Sequence, residues 1–100
     1  MKRLVLVALA GLVLAGCGKS DIDKAREAVS ERLKDPESAQ FRNERVVGED
    51  RFVCGEVNAK NSAGGYVGFS SYAALRQDDG SYVAFLESEG QTTFKESSCR

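Results

Sequence analysis

The chain of 100 residues has no histidine and no tryptophan, a single proline and a single methionine. Without histidine, the commonest general base and the commonest metal ligand at neutral pH are both missing. No phosphate-binding glycine loop, metal-ligand cluster or nucleophile with a base at suggestive spacing takes their place. The isolated pair Asp78-Asp79 supplies too few oxygens for calcium. The expectation is a protein without cofactor, metal or catalytic residues. Carboxylates such as Glu44, Asp50 and Glu56 are left to be paired only by folding. Neither sign of charge dominates, with 14 Lys and Arg against 15 Asp and Glu. Setting aside Lys2 and Arg3 brings the net charge to about −3, so no basic surface for nucleic acid is expected.

Long apolar runs are also scarce. One spans residues 4–15, behind the basic start Met1-Lys2-Arg3. As a helix it would rise about 18 Å, short of the roughly 30 Å hydrocarbon core, so it reads as an export signal and not as a span. The sequence Leu14-Ala15-Gly16-Cys17 resembles the bacterial lipobox. That resemblance implies cleavage before Cys17, a diacylglycerol thioether on its thiol and acylation, with palmitate or a similar chain, of the new N-terminus. Several acyl chains give lasting attachment where one gives only marginal binding. Gly18, standing where an aspartate would favour inner-membrane retention, implies an outer-membrane lipoprotein facing the periplasm. The expected organisation is a signal peptide over 1–16, a lipidated tether over 17–20 and a single domain over 21–100.

Ser20 followed by Asp23 fits a capping box, and Ile22, Ala25, Val29 and Leu33 recur at helical spacing. An amphipathic helix is therefore predicted over 21–34. Asp35-Pro36 breaks it and starts a single new turn, with Asp35 as the cap. Strands follow over 41–47, 51–59, 66–75 and 82–86, with turns at 48–50 and 77–81. In the second strand Val53, Gly55, Val57 and Ala59 should lie beneath the helix. In the third and fourth, the natural core face is Val67, Phe69, Ser71, Ala73 and Leu75 with Val83 and Phe85. The fold class is α+β: an N-terminal amphipathic helix packed on a four-stranded antiparallel β-meander, with a C-terminal tail pinned by a disulfide.

With Cys17 consumed by lipid, an exported chain retains two thiols, so Cys54 and Cys99 are the available disulfide. The chain-entropy model gives a closed loop of about 46 residues roughly 4 kcal/mol. A redox pair would call for a Cys-x-x-Cys spacing or a flanking histidine, and neither is present.

Two motifs stand out: the corner Asp35-Pro36-Glu37-Ser38-Ala39-Gln40-Phe41, and Val53-Cys54-Gly55-Glu56-Val57-Asn58-Ala59-Lys60-Asn61 followed by Gly64-Gly65-Tyr66-Val67-Gly68-Phe69. In both, the chain resembles a group of small bacterial lipoproteins. The resemblance implies a lipid-anchored single domain with no catalytic residues to carry over. Asn58, Lys60, Asn61 and Tyr66 form the most distinctive polar cluster. Their residue types are those a wide turn needs; they are also those that would hold a phosphate or a glycan carboxylate. Tyr66, Tyr72 and Tyr82 would form an aromatic binding patch on the face away from the helix if the strand registers align. The functional expectation is a membrane-anchored, non-enzymatic module binding or assisting another envelope protein. The alternative is a module that takes an anionic cell-wall or lipopolysaccharide group through residues 58–66.

Overall fold

A computed structural model describes residues 20–49 and 51–100. The signal segment 1–16, Cys17, most of the tether and Asp50 lie outside them.

Helix α1 spans Asp21–Ser30. The Ser20 hydroxyl accepts from the Asp23 amide at 3.1 Å, and the Asp23 carboxylate accepts from the Ser20 amide at 3.4 Å. Both acidic residues of the first turn suit the positive end of the helix dipole. The helix ends at Ser30, short of the expected residue 34. The Arg32 and Leu33 amides reach back only three residues, to Val29 and Ser30, which tightens the chain out of the α form. Leu33 reaches the core from this turn. A 3₁₀ turn, Pro36–Ser38, then makes the corner. Asp35 gives it no side-chain cap; instead the Ser38 hydroxyl donates to the Asp35 carbonyl at 2.7 Å.

Strands β1 (Gln40–Val47), β2 (Phe52–Asn58), β3 (Ser70–Arg76) and β4 (Tyr82–Leu86) form one antiparallel sheet in the order β1-β2-β3-β4. The third strand begins four positions later than the expected residue 66 because Gly68 sits at φ +104° and its amide turns to the Asn58 side chain. That left-handed residue breaks the extended run.

The helix packs on the face formed by Val53 and Val57 of β2, Tyr72 and Ala74 of β3, and Ala84 and Leu86 of β4. For β3 and β4 this is the opposite of the expected core face. Register decides it: Val53 pairs with Ala74, which pairs with Ala84, while Gly55 pairs with Tyr72, which pairs with Leu86. Alternation in one strand defines two faces without saying which one a distant helix will cover. The small side chains of Ala74 and Ala84 let buried Ala25 and Val29 approach closely, and Tyr72 fills the space over Gly55.

The other face is partly covered by the C-terminal segment. It includes helix α2 (Thr93–Glu96), whose Phe94 is buried. The Cys54–Cys99 disulfide ties it to the middle of β2, with Cα atoms 5.7 Å apart. No described helix is long and apolar enough to cross a membrane.

Candidate functional site

Three places gather polar or exposed apolar side chains. The first is internal. β1 carries a bulge, with Asn43 at φ +54° and the register shifting between Arg42 and Arg45. The extra residue turns Glu44 towards the helix, where its side chain is only 7% exposed. There Arg26 of α1 binds both carboxylate oxygens, and the Tyr72 hydroxyl donates to Oε2 at 2.9 Å. Burial would raise the Glu44 pKa, but the hydrogen bonds from Arg26 and Tyr72 prevail and hold it below the ordinary carboxylate range. Burial, with the nearby Glu44 carboxylate, pushes the Tyr72 hydroxyl well above its usual value. Phe41 closes the cluster, edge-on to Tyr72 at 5.9 Å and beneath the Arg26 guanidinium at 5.2 Å. A Cβ on Gly55 would come within 3.0 Å of both Glu44 Cγ and the Tyr72 ring, so glycine there makes room for both. With both carboxylate oxygens of Glu44 engaged, the cluster clamps helix to sheet. Glu56 lies on the opposite face, bound to Arg42 at 2.7 Å and Asn43 at 2.8 Å, so the two carboxylates do not form a pair.

The second place is the loop between β2 and β3, where the two sequence motifs meet. The Lys60 amide donates to the Ser38 hydroxyl at 2.8 Å and the Tyr66 hydroxyl donates to the Ser38 carbonyl at 3.0 Å. Asn61 Oδ1 accepts from the Ala63 and Gly65 amides, and Asn58 Oδ1 from Gly68. The Gly64 and Asn61 amides are likewise bonded within the loop. Asn58, Asn61 and Tyr66 therefore build the loop, and the amides of Lys60, Asn61, Ala63, Gly64, Gly65 and Gly68 are already bonded and not free for an anion. Lys60 keeps its ammonium outside this network, 5.7 Å from the centre of the Tyr66 ring. Ser38→Ala removes both bonds of that hydroxyl, to the Asp35 carbonyl and from the Lys60 amide, and is expected to cost about 1–2 kcal/mol and to speed amide exchange at residues 60–65. Exchange unchanged from wild type would show that the corner does not hold the loop.

The three tyrosines do not share a surface. Tyr72 is buried under the helix, Tyr82 donates to Asp21 at 3.0 Å on that same side, and Tyr66 is 45% exposed at the loop. An aromatic patch away from the helix is thus ruled out by register: Tyr72 pairs with Gly55, and its ring fills the space over that glycine.

The third place was not foreseen as a site. On the open face, Val47 pairs with Phe52, Phe52 with Leu75, and Leu75 with Val83. These four make an apolar row across all four strands, half-buried apart from Val83, which is 41% exposed. The next row, Arg45-Cys54-Ala73-Phe85, lies partly under the tail, and a third, Arg42-Glu56-Ser71, is polar. Between the apolar row and the tail runs a groove of about 400 Å³, with Phe52, Leu75, Phe85 and Phe94 among its lining residues and Gln91, Thr92 and Ser97 around them. Alternation places Phe52 on this open face, as the structure does, but it places Leu75 and Val83 beneath the helix, and so the row is not legible from the strands one by one.

Compared with known protein families, curated proteins and solved structures, the chain matches none.

Proposed function

We propose that this protein is a lipid-anchored, non-enzymatic binding module of the bacterial envelope, and that its open sheet face docks another envelope protein. The observation that carries the reading is the cross-strand apolar row Val47-Phe52-Leu75-Val83 beside the Phe85-Phe94 groove. An apolar centre ringed by uncharged hydroxyl and amide groups is the composition of a protein interface. The anchor follows from the lipobox-like Leu14-Ala15-Gly16-Cys17, with Cys17 as the lipidated residue and the periplasmic side of the outer membrane as its address. The alternative, an anionic cell-wall or lipopolysaccharide group held by the loop, gains little from the geometry, since the amides of Asn61, Ala63, Gly64, Gly65 and Gly68 are already bonded within the protein.

The test is in-cell photo-crosslinking with probes at Val83 and Phe52, and at exposed Glu31, the C-cap of α1, as control. One envelope protein captured from the first two positions and not the third is expected, and Val83→Asp should reduce its capture at least tenfold without moving the melting temperature. Equal capture from Glu31, or no protein adduct from Val83 and Phe52, would remove the open face as the working surface.

A further inference from the structure

A second groove lies at the other end of the strands and on the helix side. It holds about 230 Å³, and Leu33, Val57, Leu86 and Val67 supply its apolar lining. Val67 is 65% exposed, the most exposed of the large apolar side chains among the described residues. It is not loose: the residue before it is tied to the Ser38 carbonyl and the residue after it to Asn58. Val67 is thus held in a fixed place, where it extends the apolar lining that Leu33, Val57 and Leu86 begin.

The rim is basic in a chain whose overall charge is −1. Arg32 is neutralised by Glu89, whereas among the described residues neither Lys34 nor Lys60 has an ion-pair partner. Both lysines line the groove. An apolar floor between two uncompensated ammonium groups complements a ligand with an apolar centre and anionic flanks. A phosphate or sugar acid would lack a use for the floor and would find the amides of Lys60, Ala63, Gly65 and Gly68 occupied.

We infer that this groove takes an acidic segment of a second protein, one large apolar side chain seating on Leu33, Val57 and Val67 while flanking carboxylates reach Lys34 and Lys60. The site stands apart from the open face in both end and side of the sheet. A module carrying both surfaces bridges two partners.

The test selects a random heptapeptide display library on the full processed protein in lipid nanodiscs. Enriched peptides are expected to carry Asp or Glu around Leu, Ile or Phe. Binding of the lead peptide should fall at least tenfold in Lys34→Glu/Lys60→Glu and several-fold in Val67→Ser. It should weaken as salt rises from about 0.05 to 0.5 M, because exposed charges are screened. Val83→Asp should leave it unchanged, which keeps this result separate from that of the open face. The inference is overturned if the library yields no enriched peptide, or if enriched peptides lack acidic residues. It is equally overturned if charge reversal has no effect, or if inorganic phosphate or lipopolysaccharide displaces the peptide with the same lysine dependence, which would make the groove a general anion site.

Discussion

Cys99→Ser, or reduction of the Cys54–Cys99 bridge, is expected to lower the unfolding free energy by about 3–5 kcal/mol. The closed loop holds β3, β4 and the whole C-terminal segment, so opening it returns a large conformational freedom to the unfolded chain. A domain of this size has little stability in reserve, since small cores bury a modest share of their surface. In the folded protein the effect should be local. The tail keeps only the burial of Phe94, the Lys95–Glu87 pair, the Gln91 contacts with Leu86 and the bond from Arg45 to the Cys99 carbonyl. Amides of residues 92–99 should therefore exchange faster than those of β2 and β3. Urea melts with and without reductant, followed by hydrogen exchange, measure both. A loss under about 1 kcal/mol with the tail still protected would show that packing, and not the bridge, holds the segment. Because the tail walls the Phe52-Leu75-Phe85 groove, the same variant should also weaken capture at the open face.

Truncating Tyr72 to alanine should cost about 3–5 kcal/mol, as for other fully buried aromatics, and Tyr72→Phe about 1–2 kcal/mol through the lost bond to Glu44. The two titrations of the cluster have opposite signs. Glu44 has its folded pKa lowered, so its contribution is present above the ordinary carboxylate value of about 4.3 and is lost as pH falls through the folded value. Tyr72 has its folded pKa raised, so the folded state favours the neutral phenol, and stability is lost as pH rises above the ordinary value of about 10. Melting temperature against pH should thus be flat between about 5 and 9 and fall at both ends. In Tyr72→Phe the alkaline fall attributable to this residue disappears, and the acid fall attributable to Glu44 becomes smaller and is complete at higher pH, because Glu44 has lost one of the donors that lower its folded pKa. An alkaline limb identical in wild type and Tyr72→Phe would mean that the phenol is not shielded as its burial requires.

The antiparallel sheet and its strand count were legible because apolar alternation and turn residues are local signals. The segment 82–86 and the Gln77–Ser81 turn are read directly from Val83, Phe85 and the Asp79-Gly80 pair. The disulfide was legible from cysteine count. What misled was any step needing register. Tyr72 and Tyr82 look like exposed aromatics when β3 and β4 are read by alternation alone, with Val67 to Leu75, Val83 and Phe85 as the core set. The pairing with Gly55 places Tyr72 at the centre of the helix-side core. Glu44, with a spacing that reads as ordinary strand alternation, joins that core only because a bulge at Asn43 inserts one residue. The left-handed Asn43 is a weak hint that a strand-based reading passes over.

By itself, then, the sequence determined the cap at Ser20 and Asp23, the new turn at Pro36, the number and order of the strands and the identity of the bridging cysteines. Each depends on side chains close in the chain or on simple exclusion. Only the tertiary structure decided which face the helix covers, and with it which surfaces remain to bind. That choice rests on close packing between distant segments: Ala25 and Val29 fit over Ala74 and Ala84, Tyr72 fits over Gly55, and Arg26 meets a carboxylate turned inward by a bulge. The Val47-Phe52-Leu75-Val83 row and the Lys34-Lys60 groove are what that packing leaves outside.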